Sequence, residues 1–466
     1  MAPPGEKMFR IMISTDNHLG HEERHIVRGE DSFRAFEEVL DISSSHGSDI
    51  LLLGGDLFHD NKPSRECMVK TMNLFRKYCC GSRECMVDPV DVTAMGNPAY
   101  PDEEQIVNYQ DPNVNISLPV FIIHGNHDDP CGPGQHSALD ILSSCRLLNY
   151  FGKQANVNAI TIKPILLHKG DVKIAIYGLG NIKDERLAKL FQDRNVQWEI
   201  PPDSSEYFNI LVVHQNRPLR EGKNSFPVEK IPSHIQFVVW GHEHECQVEY
   251  SREGNYDVNI LQPGSTTITS LVAGEAALKH CFCLDIKFNP ESQDHKFRCK
   301  EVKLNNVRPF MYSELTLEGN CGATEADVRE YLEREVEDLL ERAKREHPNP
   351  APGMEKPLVR VKVEHTGFHI PAPQRFGEAF GQGQTAENWR VANPDDILKG
   401  WKRQKARQQV GQKNPAAAEE EEEEEELELD DDDEDELLDE DEELDEELLE
   451  ELDDEEDELD ELLDED

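Results

Sequence analysis

The residues VFIIHGNHD, at positions 120–128, join four apolar side chains directly to a cluster of polar ones. A short apolar run that is rich in β-branched and aromatic residues is typical of a buried strand. The small Gly125 then leaves the backbone free to bring Asn126, His127 and Asp128 close together. The stretch therefore predicts a strand that ends on groups able to bind a metal or to act in catalysis.

Four more apolar runs end in the same way, each within a few residues of side chains that ligate metals. The runs and their polar ends are Met8–Ile13 with Asp16 and His18, Ile50–Leu53 with Asp56 and His59, Ile210–Val213 with His214, and Phe237–Trp240 with His242 and His244. In layered α/β folds, ligands gather outside the carboxyl ends of the strands, where the loops converge. Five such coincidences in one chain predict an α/β fold and a metal-dependent hydrolase.

The residue types favour a centre of two metal ions. The predicted ligands are Asp16, His18, Asp56, Asn126, His214, His242 and His244. Asp16 and His18 share one turn and can offer an oxygen and a nitrogen to one ion, while the two oxygens of Asp56 suit a bridge between two ions. Mixed nitrogen and oxygen ligation without thiolate favours Mn, Fe or Zn. Each group alone is more often a surface or hydrogen-bonded residue than a ligand, so the prediction rests on all of them together.

Three further residues of these clusters are predicted to act in catalysis. His127 adjoins Asn126 without being needed as a ligand, so it is the candidate to protonate a leaving oxygen or to stabilise the transition state. Asp128 is available to orient the His127 ring. His59, three residues after Asp56, is a candidate contact to the ligands or to a substrate phosphate.

Charge is distributed unevenly along the 466 residues. The formal net charge is −48, but residues 419–466 contain 37 Asp and Glu and no Lys or Arg, which leaves −11 for the rest. A mildly acidic body binds nucleic acid only through local basic patches.

The 11 cysteines are odd in number and include no C-x-x-C pair, which favours a reducing compartment without disulfides or a zinc finger. No membrane association is expected, because there is neither an apolar signal core nor an apolar run of about 18 residues.

Shifts in composition predict four segments. They are a catalytic domain over residues 8–295, a smaller second domain over 302–393, a basic helix within 394–412 and an acidic low-complexity tail over 414–466. In the second domain, periodicity predicts a helix over Glu325–Arg345 and a strand over Leu358–Val363, whose polar face carries Arg360 and Lys362. The segment Asp88–Leu118, rich in Pro, Asp and Asn, is predicted to be an inserted surface loop. Acidic runs such as the tail are usually disordered.

The order of the motifs resembles that of the calcineurin-like metallophosphoesterases. Longer strings are similar to the eukaryotic double-strand-break repair nucleases of the meiotic recombination eleven family, namely LLGGDLFHDNKPSR at 52–65, HGNHDDP at 124–130, VHQNR at 213–217 and WGHEHEC at 240–246. The similarity runs from about residue 8 to residue 409 and includes PLVRVKV at 357–363.

The resemblance implies a fold and a ligand set. The fold is a two-sheet metallophosphoesterase sandwich flanked by helices, with a smaller α+β capping domain over the active-site groove. Manganese is the implied metal, with two ions per subunit. One ion would be held by Asp16, His18, Asp56 and His244, and the other by Asp56, Asn126, His214 and His242. His127 matches the family's catalytic histidine.

The resemblance also implies a function in the repair of DNA double-strand breaks. Family members are nuclear homodimers with 3′-to-5′ exonuclease activity on double-stranded DNA and endonuclease activity on single strands. The implied partners are DNA, a coiled-coil ABC ATPase of the Rad-fifty type, which the helix in 394–412 would begin to bind, and a nibrin-type third subunit. Arg360 and Lys362 could contact DNA phosphates, although an exposed strand face explains them equally well.

Two other functions stay open on the sequence. A phosphatase or nucleotidase could carry the same short motifs, since these do not separate it from a nuclease. A scaffold that bridges DNA and the ATPase with little activity is the second, and the intact ligand set disfavours it. The acidic tail departs from the partly basic tails that are usual in the family, and a basic partner such as a histone surface could neutralise it.

Overall fold

A computed structural model describes most of the chain up to residue 368. The described ranges are 8–95, 105–132, 134–154, 156, 158–217, 226–253, 258–322, 324–348 and 350–368. The rest of the predicted second domain, the predicted helix within 394–412 and the acidic tail over 414–466 lie outside the described residues.

The first of two large sheets holds six strands. In chain order they are β1 (Met8–Ser14), β2 (Ile50–Leu53), β4 (Val120–Ile122), β5 (Asn149–Tyr150), β14 (His280–Asn289) and β15 (Asp294–Lys303). Their spatial order is β15-β14-β1-β2-β4-β5. Strands β1, β2, β4 and β5 are parallel, while β14 pairs antiparallel with β1 and β15 antiparallel with β14. Parallel strands end on the same edge, so the segments after β1, β2 and β4 meet there.

The second large sheet holds seven strands. They are β3 (Asp88–Asp91), β7 (Pro164–Lys169), β8 (Val172–Leu179), β10 (Phe208–His214), β11 (Phe237–Gly241), β12 (Ser251–Glu253) and β13 (Val258–Leu261). Their spatial order is β12-β13-β11-β10-β8-β7-β3, with β8, β10, β11 and β13 parallel. Two short strands, β6 (Ile160–Ile162) and β9 (Val196–Trp198), pair with each other beside this sheet.

The two sheets pack face to face around a shared apolar core. Ile11 and Ile13 of β1 lie in this core together with Ile210 and Val212 of β10. Met12, between the two isoleucines, points to the opposite face and packs under helices. Strands that are covered on both faces need apolar residues at every position, which explains the unbroken apolar runs in the sequence. The predicted sandwich is confirmed.

Helices cover the outer faces of both sheets. They are α1 (Asp31–Ser45), α2 (Arg65–Tyr78), α3 (Ala138–Ser144) and α4 (Asp184–Gln192). The first three pack on the first sheet, and α4 packs on the second. Side chains set two of the starts: Ser64 accepts a hydrogen bond from the Cys67 amide, and Ser137 forms a capping box with Asp140. None of the helices in the described ranges combines the length and the apolar character of a membrane-spanning segment.

A smaller unit follows the sandwich. It consists of β16 (Phe310–Thr316), α5 (Glu325–Glu346) and β17 (Leu358–Glu364), and its two strands are parallel. Met311, Leu339 and Ala343 form its small core, against which Val359 and Val361 pack. Both the predicted helix and the predicted strand are present, and the strand alternates between half-buried valines and exposed polar residues as expected.

A buried ion pair joins this unit to the sandwich. The Arg308 guanidinium donates to both carboxylate oxygens of Asp31 at the start of α1, at 2.6 and 2.8 Å. It also donates to the backbone carbonyls of Gly353 and Lys356, at 3.0 and 2.8 Å. The single arginine therefore holds α1, the entry to β16 and the approach to β17 in one arrangement.

Two segments differ from their predictions. Strand β15 carries the first sheet past residue 295, the predicted end of the catalytic domain, and past the predicted domain start at 302. Its outer face bears Lys296, Arg298 and Lys300, so its sequence does not look like sheet. Within the predicted surface loop, Asp88–Asp91 forms the edge strand β3, whose pairing is irregular near Pro89. A proline lacks the backbone N–H, and an edge is where a strand tolerates it.

Candidate metal centre

The seven predicted ligands converge on the edge where the parallel strands of both sheets end. The segments after β1, β2 and β4 supply Asp16, His18, Asp56 and Asn126, and the ends of β10 and β11 supply His214, His242 and His244. Asp16, His18, Asp56 and His214 are fully buried, whereas Asn126 is exposed. Neither sheet alone carries the set, so the centre lies across the sandwich.

One group of ligand atoms is formed by Asp16, His18 and His244. Their ligand atoms all lie within 4.8 Å of one another. The Nε2 atoms of His18 and His244 are 3.0 Å apart, and His244 Nε2 is 3.7 Å from Asp16 Oδ1. Two imidazole nitrogens and a carboxylate oxygen thus surround one position.

A second group is formed by Asp56, His214 and His242, again within 4.8 Å. Asn126 joins it, because its Oδ1 lies 3.2 Å from His214 Nε2 and 3.0 Å from His242 Nδ1. His214 Nε2 is also 3.2 Å from Asp56 Oδ2. Two oxygens and two nitrogens surround this second position.

Asp56 Oδ2 lies between the two groups. It is 3.2 Å from His214 Nε2 and 3.7 Å from His18 Nε2. The atom is buried and has no hydrogen-bond partner among the described residues, while Oδ1 accepts a bond from the His127 amide at 2.9 Å. A buried carboxylate oxygen without a donor is costly, and a cation on either side of it would remove that cost. The donor set therefore fits a carboxylate shared by two divalent cations.

In His214 and His242, a hydrogen bond to the ring nitrogen that faces away from the centre determines which nitrogen carries the proton. His214 Nδ1 lies 2.9 Å from the Gly54 carbonyl, which can only accept, so Nδ1 carries a proton and Nε2 is the nitrogen left to bind a cation or a second proton. His242 Nε2 donates to Asn216 Oδ1 at 3.0 Å, and the Asn216 amide is fixed by donating to Asp184 Oδ2 at 2.6 Å. His242 Nδ1 therefore presents its lone pair as well. Lone pairs that converge without a hydrogen between them are the arrangement that a cation binds.

Burial and the neighbouring charges shift the pKa values of the residues at the centre in opposite directions. Burial lowers the pKa of His214, but attraction to Asp56 and Asp16 outweighs burial and raises it to about 10. Burial would raise the pKa of the Asp56 carboxyl, yet His214 and His18 hold it well below its usual range. Burial keeps the pKa of His18 low, and burial together with repulsion from His214 lowers that of His242 to about 4. The field that raises the His214 pKa also attracts a divalent cation, so proton and metal compete for the same lone pair.

Four of the seven ligands have left-handed backbone conformations. The φ angles are +51° at Asp16, +45° at His18, +50° at Asp56 and +86° at His242. Such angles are uncommon outside glycine and cost about 1–3 kcal/mol each, and they cluster at functional sites. The turns after β1, β2 and β11 therefore hold their side chains at the expense of backbone strain.

Three glycines leave the space that these ligands occupy. A Cβ on Gly125 would lie 1.9 Å from Asp56 Oδ1, and one on Gly55 would lie 2.5 Å from His214 Nδ1. A Cβ on Gly241 would lie 2.4 Å from the Gly54 carbonyl oxygen. No side chain fits at these positions, which accounts for glycine in each of the three motifs.

His127 lies beside both groups, but Asp128 does not orient it. The His127 Nδ1 atom is 2.7 Å from the His59 carbonyl oxygen, which fixes the proton on Nδ1, and the His127 and His59 rings stack with centroids 5.1 Å apart. The Asp128 carboxylate instead accepts bonds from the backbone amides of Gly125 and Leu57, each at 2.7 Å. The prediction that Asp128 orients the His127 ring is therefore wrong: its oxygens lock the loops after β2 and β4 together.

Comparison with known proteins identifies the family. A model of the calcineurin-like phosphoesterases matches residues 9–246, which is more than half of the chain. The chain belongs to the calcineurin-like phosphoesterase family. A second model, described as an Mre11 DNA-binding presumed domain, matches residues 297–452 of this phosphoesterase.

Several curated relatives of the phosphoesterase carry the name double-strand break repair protein MRE11. That of Arabidopsis thaliana is 43% identical over 404 residues, which cover 84% of this chain and 54% of the relative. The proteins of Oryza sativa subsp. japonica and Homo sapiens are 41% and 39% identical, and the matches cover 86% and 87% of this chain and 57% of each relative. The resemblance to the meiotic recombination eleven family is confirmed. The chain spans about half the length of these relatives.

The phosphoesterase also holds its ligands through residues that the sequence analysis did not select. Asn216 and Asp184 support His242, as described above. His244 Nδ1 lies 2.7 Å from Thr269 Oγ1 and 3.2 Å from Glu275 Oε1. Glu275 follows His244 by 31 positions and lies in a short 3-10 helix, so no local pattern marked it. The only signal was a single carboxylate between Gly274 and Ala276, after the turn at Gln262.

Arg360 and Lys362, the predicted DNA contacts, lie on the exposed face of β17. Arg360 Nη1 donates to the backbone carbonyl of Leu271 at 2.8 Å, and Lys362 Nζ pairs with Glu314 at 3.2 Å. Both side chains are exposed to solvent beyond these contacts. Arg360 thereby joins the smaller unit to the loop that carries Thr269 and Glu275.

Proposed function

We propose that the protein is a manganese-dependent DNA nuclease that acts in double-strand break repair, with 3′-to-5′ exonuclease activity on double strands and endonuclease activity on single strands. The observation that carries the proposal is the buried Asp56 oxygen without a hydrogen-bond partner, which lies between two groups of carboxylate and imidazole ligand atoms. The names of the curated relatives support DNA as the substrate.

We assign one cation to Asp16, His18, Asp56 and His244, and a second to Asp56, Asn126, His214 and His242. Two divalent cations at such a site act as Lewis acids that polarise the phosphodiester and offset its charge. The nitrogen and oxygen set without thiolate suits manganese, iron or zinc, and the family resemblance favours manganese among them. The chain itself fixes the distances between the ligand atoms, because the imidazole rings are bound on the side away from the proposed cations by Gly54, Asn216, Thr269 and Glu275.

His127 is the residue proposed to assist the leaving group. Its Nδ1 proton is held by the His59 carbonyl, so the other ring nitrogen, Nε2, is the atom that exchanges a proton with the substrate. The backbone amide of His127 donates to Asp56, which keeps the ring at a fixed distance from the bridging carboxylate. His59 stacks on His127 and limits its rotation.

The unit after residue 303 is proposed to cap the groove and to contact DNA phosphates. The match to an Mre11 DNA-binding presumed domain supports this role. Arg360 and Lys362 are exposed on one strand face, which suits contacts that position DNA without reading its sequence. On the family resemblance we also propose a homodimer in the nucleus, with a coiled-coil ABC ATPase of the Rad-fifty type and a nibrin-type subunit as partners.

Cleavage of 5′-labelled double-stranded DNA in manganese tests the proposal, with magnesium as the alternative metal and His127→Asn as the variant. We expect manganese-dependent shortening that the variant loses while it still binds both ions. His46→Asn, the same change at an exposed histidine after α1, serves as the matched control and should keep full activity.

Two outcomes would overturn the proposal. Release of phosphate from nucleoside monophosphates, with DNA left intact, would identify a phosphatase or nucleotidase on the same fold. Absence of DNA cleavage despite two bound manganese ions, both with and without an ABC ATPase partner and ATP, would identify a scaffold.

A further inference from the structure

A buried carboxylate lies behind the ligand His244. Glu275 is only 1% exposed and belongs to the 3-10 helix Ala273–Ala276, in the loop between β13 and β14. The nearest cation is Lys279, also buried, whose Nζ lies 3.1 Å from Glu275 Oε2. Neither residue touches the position between the ligands, so both could act on the centre only through other side chains.

Glu275 is saturated with hydrogen-bond donors. Its Oε1 accepts from Thr269 Oγ1 at 2.8 Å and from the Ser270 amide at 2.9 Å, besides facing His244 Nδ1 at 3.2 Å. Its Oε2 accepts from Lys279 Nζ, and from Ser265 Oγ at 3.2 Å. Since every donor is part of the same loop or its ends, the carboxylate cannot turn away from the His244 ring.

The proton of His244 is decided by Glu275 rather than by Thr269. A hydroxyl has one hydrogen and can either donate or accept, so Thr269 alone is compatible with both tautomers of the ring. A carboxylate only accepts. Thr269 donates its one hydrogen to Glu275, so its oxygen can only accept from His244. Both partners of His244 Nδ1 are then acceptors, which places the ring proton on Nδ1. The lone pair is left on Nε2, which faces His18 Nε2 and Asp16.

We propose that Glu275 is a positioning residue for the metal centre, which fixes the tautomer and the ring plane of His244 and thereby sets the affinity for one of the two cations. The inference rests on the proposed function, since it concerns the same centre. Lys279 balances the buried charge and also donates to the His244 carbonyl at 3.2 Å, so it holds the backbone on the other side of the same residue.

A purely structural role is the competing explanation. Buried ion pairs add little net stability, because desolvation offsets most of their attraction, and apolar residues of similar volume often replace them without loss. If the pair served only the fold, its apolar replacement would leave metal binding intact. If Glu275 positions His244, the same replacement would free the Thr269 hydroxyl to donate to the ring and would populate the wrong tautomer.

The test is manganese binding by isothermal titration calorimetry to the double variant Glu275→Leu with Lys279→Met, in the full chain. The matched control is Asp31→Leu with Arg308→Met, which replaces the other buried pair, remote from the centre. We expect the Glu275 variant to be folded but less stable than the wild type, because the Ser270 amide and the Thr269 hydroxyl lose their buried acceptor. It should bind one ion normally and the other about 10–100-fold more weakly, the usual effect of losing a carboxylate behind a ligating histidine. The control should bind both ions as the wild type does.

Equal affinity for both ions in the folded double variant would overturn the proposal. If that variant does not fold, Glu275→Gln decides in its place, because it keeps the volume: we expect weaker binding of one ion, and unchanged binding of both would again overturn the role. DNA cleavage by the Glu275 variant is a second measurement, in which we expect a reduced kcat and an unchanged KM for DNA. A wild-type protein that binds no manganese would count against the proposed function instead.

Discussion

Replacing Gly125 with alanine would drive a methyl group into the carboxylate of Asp56. The added Cβ would lie 1.9 Å from Asp56 Oδ1 and 2.5 Å from its Cγ, whereas ordinary contact begins at 3.4 Å, so one side must move by about 1.5 Å. The added Cβ would also lie 2.7 Å from the Asp56 backbone nitrogen. Because Asp128 accepts from both the Gly125 and the Leu57 amides and so ties the two loops together, the displacement falls on Asp56, side chain and backbone alike.

A shift of that size is far outside what a metal centre tolerates. Ligand distances in metal sites are held to about 0.2 Å, and Asp56 belongs to both proposed ligand sets. We expect the affinity for manganese to fall more than about 100-fold at both positions, and DNA cleavage to fall by at least the same factor, since a misplacement of about 1 Å alone costs about that much in rate.

Titration calorimetry with manganese measures the effect, and Gly132→Ala is the matched control from the same loop region. Gly132 has a φ of +65° and no atom within 4 Å of an added Cβ, so alanine there costs about 1 kcal/mol of backbone strain and should leave both ions bound. Two ions bound by a folded Gly125→Ala protein with wild-type affinity would refute the assignment of Asp56 as the shared ligand.

Two further predictions concern stability. Arg308→Met leaves Asp31 buried without its partner and should lower the free energy of unfolding, measured by urea denaturation, by about 3–5 kcal/mol. Adding Asp31→Leu should recover much of this loss. Equal stability of the single and double variants would contradict this prediction. Burial raises the pKa of Asp285, but hydrogen bonds from Arg10 and Arg298 outweigh it and lower that pKa below its ordinary value. Its stabilisation is thus complete above about pH 4 and is lost as the pH falls through the lowered pKa. Asp285→Asn should therefore be less stable than the wild type near neutral pH, with the gap closing in acid; a gap that does not depend on pH would exclude the carboxylate as its source.

The candidate ligands could be selected from the sequence because each one ends a strand or lies within four residues of its end. A buried parallel strand needs an unbroken apolar run, and the first polar residues after it must lie on the sheet edge. His214 and the pair His242 and His244 could be found in this way without any knowledge of pairing. Periodicity within the segment likewise predicted α5 and β17, whereas β16 was not predicted.

The residues that the sequence could not reveal act through tertiary contacts. Asp128 adjoins His127 in the chain, yet its carboxylate is taken by amides of the neighbouring loop, which only the pairing of β2 with β4 brings near. Glu275 reaches His244 across a loop with no regular pattern. Strand β15 crosses the predicted domain boundary, because basic residues alternate along its exposed face and mark no continuous apolar run.

The pairing of β14 with β1 joins two strands that lie far apart in the chain and are synthesised at different times. Met8–Ser14 leaves the ribosome first, but its antiparallel neighbour His280–Asn289 is made some 270 residues later, after the last ligand at His244. Pairings between distant parts of a chain form slowly, because the closure of long loops is unfavourable until it is complete. No nascent fragment that ends before residue 289 holds both finished sheets, whatever ligands it already contains. A product truncated before residue 280 would therefore carry every motif of the centre on a first sheet that still lacks the neighbour of β1.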